Sequence, residues 1–141
     1  MEVKDLFTEE LRLALPPRHP LTRKRTVRLA DLEKEPFIVM KEGHCLGDQV
    51  LNFCERRDLK PTISFRSAQL ETIQALVHSG VGISLVPEMA ARKKRAGLPE
   101  YRSLVSPKPE RKIVAIWPKQ RPLSRAANEL LNQIIANSKE L

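Results

Sequence analysis

Apolar and polar residues alternate through Leu11-Arg12-Leu13-Ala14-Leu15, the period of a half-buried strand, and Pro16-Pro17 stops it. Residues 18–27 are polar and basic and predict a loop. Residues 29–35 predict a short helical turn ending before Pro36, and residues 37–40 form an unbroken apolar run suited to a buried strand. Past Gly43 the period changes. Leu46, Val50, Phe53 and Cys54 recur at helical intervals and predict a helix over residues 45–58, closed by Pro61.

Residues 62–65 predict the next strand. Ser67 is placed to cap a helix over residues 68–79, with Leu70, Ile73, Leu76 and Val77 on one face and Gly80 at its C-terminal end. Residues 83–86 read as an apolar strand closed by Pro87, residues 88–94 as a helix and residues 101–105 as a strand. Pro107-Lys108-Pro109 enforces extended backbone and predicts a linker. Beyond it, residues 113–117 read as a buried-type strand ending at Trp117, a core candidate. Residues 124–137 predict an amphipathic helix with Ala127, Leu130, Leu131, Ile134 and Ile135 inward. Strands alternating with helices at crossover spacing give an α/β class, a mostly parallel twisted sheet with flanking helices. The linker divides it into residues 1–107 and 108–141.

Composition narrows the function. A chain of 141 residues is one domain's worth, and two cysteines exclude a disulfide scaffold and a four-cysteine zinc site. There is no Gly-rich phosphate loop and no His/Glu metal cluster, so no cofactor or metal is expected. No apolar run approaches the length of a membrane span, and the first residues lack a signal peptide's apolar stretch; a cytoplasmic protein with no membrane partner is the expectation. Twenty-five Lys and Arg against seventeen Asp and Glu give a charge of +8, which favours polyanions. The basic runs Arg23-Lys24-Arg25 and Arg92-Lys93-Lys94-Arg95 are short, and aromatics are only 4%, too few for a base-stacking platform. Solvated charge and a surface for nucleic acid or an acidic partner both fit them.

The candidate chemistry centres on Gly43-His44-Cys45. A thiol at a helix start faces unpaired backbone N–H groups and the positive end of the dipole, which favour thiolate. His44 adds a cation or proton donor, and Asp48 lies one turn on. Nine residues of helix separate Cys54 by roughly 13 Å along the axis and half a revolution, beyond the ~7 Å Cα separation that a disulfide allows. The two are therefore either unrelated thiols or a redox switch whose closure unravels the helix. Ser67 serves as a cap or as a ligand contact. Arg111, just before the last strand, is an anion contact or a strand-end surface charge. His19 and His78 read as solvated.

The run Glu42-Gly43-His44-Cys45-Leu46, with Asp48-Gln49 and Phe53-Cys54, resembles the peroxide-sensing, OxyR-like group of the LysR-type transcriptional regulators. The wider family is resembled by Leu6-Phe7 through Leu15-Pro16, His19-Pro20-Leu21, Leu29-Ala30-Asp31-Leu32 with Pro36-Phe37-Ile38, and Ser67 through Gly80-Val81-Gly82-Ile83 to Val86-Pro87. The resemblance implies a regulatory domain of periplasmic-binding-protein-like fold, with residues 1–107 as its second subdomain and 108–141 as the returning strand and helix of the first. It implies that Cys45 reacts with hydrogen peroxide and pairs with Cys54, that His44, Asp48 and Arg111 shape the thiolate pocket, and that Ser67 is an effector contact. It further implies a homo-oligomer that acts on DNA through an N-terminal domain absent from this chain, as is the first part of the regulatory module. Gly47 departs from the basic residue expected after the Cys-Leu pair. Two alternatives stand beside the peroxide sensor: a domain that binds a small effector between subdomains, with incidental cysteines, and a thiol peroxidase-like enzyme. No residue marks a turnover site, so a non-enzymatic protein is expected.

Overall fold

The structure is a computed structural model that describes residues 1–138; residues 139–141, the end of the expected C-terminal segment, lie outside the described residues. Seven strands and four helices follow in order: β1 (Glu2–Leu15), β2 (Thr26–Val27), β3 (Pro36–Met40), α1 (Cys45–Glu55), β4 (Thr62–Ser67), α2 (Leu70–His78), β5 (Ser84–Pro87), the single turn α3 (Glu88–Ala91), β6 (Glu100–Leu104), β7 (Glu110–Trp117) and α4 (Arg125–Ser138). Short 3-10 turns at Pro20–Arg23 and Leu29–Leu32 flank β2.

The sheet is mixed. β1 runs antiparallel to β5 and β6, while β2–β6 and β3–β4 are parallel pairs. A parallel bridge between Phe37 and Ile83 carries the pairing from β3 to the residue before β5, with Ile38 N–H donating to the Ile83 carbonyl at 2.8 Å. Gly82 makes this approach feasible, because a Cβ there would sit 2.5 Å from the Pro36 carbonyl oxygen. α1 and α2 pack on β3, so the apolar run expected from residues 37–40 is buried as read.

The chain forms two compact units. One comprises residues 10–109, and the other residues 1–9 with 110–138 of the described chain. The boundary at Pro109 falls beside the proline linker, but the outer half of β1 groups with the C-terminal strand and helix because β7 pairs with it. The linker itself is held: Pro109 is buried and its carbonyl accepts the Leu11 N–H at 2.8 Å. The larger unit contains every residue of the buried apolar core, from Leu11 to Leu104, around Phe37, Ile38, Ile73, Val77 and Ile83.

Several expectations are corrected. β1 begins at Glu2 rather than Leu11, and residues 18–27 contain a 3-10 turn and β2. The helix expected over residues 88–94 stops at Ala91, since the four basic residues that follow bring no apolar face to bury. β7 is not a buried strand. Its residues alternate between half-buried and exposed, with Val114 and Ile116 in solvent and Trp117 only half covered. In α4, Ala127, Leu131 and Ile135 are half-buried, but Leu130 is 61% exposed and Ile134 38%. His19 is half-buried, with its Nε2 3.0 Å from Glu35, while the exposed His78 places Nδ1 3.0 Å from the Leu98 carbonyl.

Candidate functional site

The site is built where β3 and β4 end side by side. Met40 and Ser67 are register partners at the C-terminal ends of these parallel strands, and the Lys41 N–H donates to the Ser67 carbonyl at 2.9 Å. The chain then turns through Lys41–His44, closed by the His44 N–H on the Lys41 carbonyl, with Gly43 at φ +81°. A side chain at that φ would be strained, which explains the glycine. The turn delivers His44 as N-cap and Cys45 as first residue of α1.

His44 Nδ1 accepts the Leu46 N–H at 3.2 Å, so the imidazole satisfies one of the free donors of the first turn. An Nδ1 lone pair engaged this way leaves only Nε2 to face an incoming molecule. Cys45 is exposed, and Asp48, whose N–H donates to the His44 carbonyl at 3.2 Å, is exposed one turn further. Cys54 lies in the same unbroken helix, fully buried in the core, and burial pushes its thiol up to about 11. Both cysteines are free thiols.

Ser67 does not cap α2. It ends β4; Gln69 occupies the cap position, and the Ser67 hydroxyl bonds only to the Gln69 backbone, accepting its N–H at 3.2 Å. Ser67 thus shares the strand-end edge with the turn before Cys45. Arg111 belongs to the smaller unit, where its guanidinium is engaged by the Glu9 carboxylate, while Lys112 pairs with Asp5 at 3.0 Å. The structure therefore gathers His44, Cys45, Asp48 and Ser67 within one unit and gives Arg111 a carboxylate partner in the other.

Arg66 escaped the sequence reading, and the packing role of Gly47 was not visible in it. Arg66 on β4 donates to the Met40 carbonyl at 3.5 Å and lies 4.0 Å from Glu42, which places a cation beside the turn. Nothing in the linear pattern brings residue 66 to residue 42; only the β3–β4 pairing does. Gly47 is buried against β3, and a Cβ there would lie 3.0 Å from the Met40 carbonyl oxygen and 3.2 Å from its Cβ. The glycine lets α1 settle directly on the strand. Among the described residues no group of His, Cys, Asp or Glu is arranged to hold a metal ion, and no helix is long and apolar enough to cross a membrane.

Residues 1–139 match the family described as the LysR substrate binding domain. The chain belongs to this family. It is 34% identical over 133 residues to the DNA-binding transcriptional dual regulator OxyR of Escherichia coli, covering 93% of this chain and 43% of that protein. It is 30% identical over 132 residues to the transcriptional dual regulator GltC of Bacillus subtilis, covering 94% and 44%. The reduced OxyR regulatory domain from Pseudomonas aeruginosa superposes with a TM-score of 0.76 at 28% identity, over 97% of this chain and 64% of that one. The chain thus spans less than half the length of these curated relatives. The LysR regulatory architecture accounts for the mixed sheet and its flanking helices.

Proposed function

We propose that this LysR-type regulatory domain senses hydrogen peroxide through Cys45 and Cys54. The observation that carries the reading is their contrast within α1: an exposed thiol at the first residue and a buried thiol nine residues on. Matches to proteins named as hydrogen peroxide-inducible genes activators support it.

The Cys45 thiolate attacks one oxygen of hydrogen peroxide; the O–O bond breaks, Cys45 becomes sulfenic acid, and hydroxide leaves to take a proton as water. The Cys54 thiolate then attacks the Cys45 sulfur, displacing its hydroxyl as a second water. One peroxide is reduced by two electrons and two thiols are oxidised to a disulfide. His44 Nε2 and Asp48 line the approach and Ser67 borders it in this reading. Because the intact helix holds the sulfurs roughly 13 Å apart along its axis, α1 must unravel before the bond closes. In this reading residues 10–109 act as the second regulatory subdomain, and the remainder completes the first. The domain works in the cytoplasm as part of a homo-oligomer that reaches DNA through a separate DNA-binding domain.

A second reading, a domain that binds a small effector with the cysteines incidental, draws on the comparable similarity to GltC. Peroxide treatment followed by peptide mass mapping separates the two. A 45–54 disulfide formed at one equivalent of peroxide, abolished in Cys45→Ser, is the expected outcome. Two thiols that persist at stoichiometric peroxide would assign the effector reading instead.

A further inference from the structure

Residues outside the cysteine site form a second candidate, built on α2, α3 and β6 of the larger unit. A cavity of about 370 Å³ opens between the end of α3 and the start of β6. That volume lies in the usual range for small-molecule pockets. Its rim carries Lys93, Lys94 and Arg95 from the segment after α3; the one carboxylate there, Glu100, is 3.6 Å from Arg102 and so already faces a cation. The lip opposite is Leu98-Pro99, held by the contact of the Leu98 carbonyl with His78.

Tyr101 lines the same cavity, and its hydroxyl is oriented from behind. Gln74 is 5% exposed, and its amide nitrogen donates both to the Ala90 carbonyl at 3.4 Å and to Tyr101 Oη at 2.8 Å. A phenol that accepts one hydrogen bond keeps its own proton to donate elsewhere. Burial raises the Tyr101 phenol above its ordinary value of 10.0, with Gln74 and Arg95 pulling the other way, so the group is a neutral donor at physiological pH. Three exposed cations around one oriented O–H donor, backed by a buried amide, suit a compact ligand with several anionic oxygens.

We propose that this cavity is a binding site for a small polyanion, carboxylate or phosphate, distinct from the cysteine site and independent of its chemistry. The uncommon charge of +8 then has a local use: it concentrates anions at a site that also supplies a directional donor. A basic surface without Tyr101 and Gln74 would attract anions without fixing them.

Isothermal titration with citrate and with pyrophosphate, each in moderate salt, tests the site on the whole chain. Binding of either supports the proposal, and the preferred probe assigns carboxylate or phosphoryl chemistry. Lys94→Ala/Arg95→Ala is expected to weaken that binding about tenfold or more, as loss of charge-assisted hydrogen bonds does. Tyr101→Phe is expected to weaken it about fivefold, the cost of one neutral hydrogen bond, with thermal unfolding confirming that the fold survives. A paired control, Lys60→Ala/Lys119→Ala, removes the same charge elsewhere and is expected to leave the affinity within about twofold. Failure of both probes to bind overturns the site. So does equal weakening by the control pair, which would mark bulk charge alone, or binding of an acidic peptide where neither small anion binds, which would make the face a protein contact.

Discussion

The two ends of α1 differ in almost every physical respect although the helix is only eleven residues long. At the N-terminal end, Cys45 stands in solvent, His44 caps the free amides and the preceding turn is closed by a glycine at positive φ. At the C-terminal end, Cys54 is sealed in the core and its carbonyl accepts N–H groups from both Arg57 and Leu59, each at 3.0 Å. Phe53, half-buried, lies under the Arg57 guanidinium at 4.3 Å. One end is open to solvent and the other is locked into the core. The difference teaches where a disulfide between them, as proposed, would meet resistance: the Cys45 sulfur is exposed, and the packing that would have to be given up lies around Cys54.

The sharpest way to break that contrast is to label the thiols. With its thiol pushed up to about 11, Cys54 is thiolate in only about one molecule in 10,000 at pH 7, and it is also inaccessible. Iodoacetamide at pH 7 is expected to label Cys45 at least about a hundredfold faster than Cys54, with the difference vanishing in denaturant. Comparable native rates, read by mass spectrometry of Cys45→Ser and Cys54→Ser, would show that α1 opens freely and that its two ends do not differ.

A substitution on the buried face sharpens the same contrast from the packing side. Gly47→Val would force a branched side chain toward the Met40 backbone, which is part of a buried strand and has little room to yield. Overpacking of this kind costs roughly 1–3 kcal/mol. Urea unfolding is expected to show that loss in the reduced protein, together with faster formation of the 45–54 disulfide, because the docked helix is the state being destabilised. An unchanged midpoint would mean that α1 rides loosely on β3.

Alkali probes Cys54 directly. Its thiol loses a proton at an ordinary 9.0 in the unfolded chain but near 11 when folded, so between these values the native state holds a proton that the unfolded state has released. Stability is therefore fully present below pH 9 and falls as pH rises toward 11. Cys54→Ala is expected to flatten that part of the stability–pH curve, whereas Cys45→Ala leaves it in place.

The sequence pattern made β3, α1, α2 and β5 legible because their residues obey a single period and are buried by their own neighbours. Phe37 to Met40, Ile73 and Val77 are buried where the pattern puts them. It misled at β7 and α4, where the same apolar residues recur but Val114, Ile116 and Leu130 face solvent. Apolar periodicity reports which face would be buried, not whether the covering partner is there. The placement of Cys45 at a helix start was readable because it depends on adjacency, at Gly43-His44-Cys45. Ser67 was read as a helix cap because the extra β4 pairing with Met40 is invisible in one dimension, and Arg66 and the packing role of Gly47 were missed for the same reason: their partners lie on β3.

The smallest effect concerns how α1 ends. Asp58 follows the helix at φ +57°, the left-handed conformation that helix ends reserve mostly for glycine, and its N–H closes on the Glu55 carbonyl at 3.1 Å. Two costs meet here. An L-residue is strained at that φ, and a carboxylate sits at the negative end of the helix dipole. Asp58→Gly removes both, offset in part by the greater freedom that glycine gives the unfolded chain. The net expectation is a gain of about 0.5–1 kcal/mol for the reduced helix, with Asp58→Asn gaining less because it removes only the charge. Since α1 must unravel for Cys54 to reach Cys45, the same gain is expected to slow disulfide formation by about two- to fivefold without changing the labelling rate of Cys45. Stopped-flow oxidation with peroxide, followed by quantifying the 45–54 disulfide, reads the first; iodoacetamide labelling reads the second. If Asp58→Gly slowed both equally, the two ends of α1 would be moving as one body, and the division between an open and a locked end would fail.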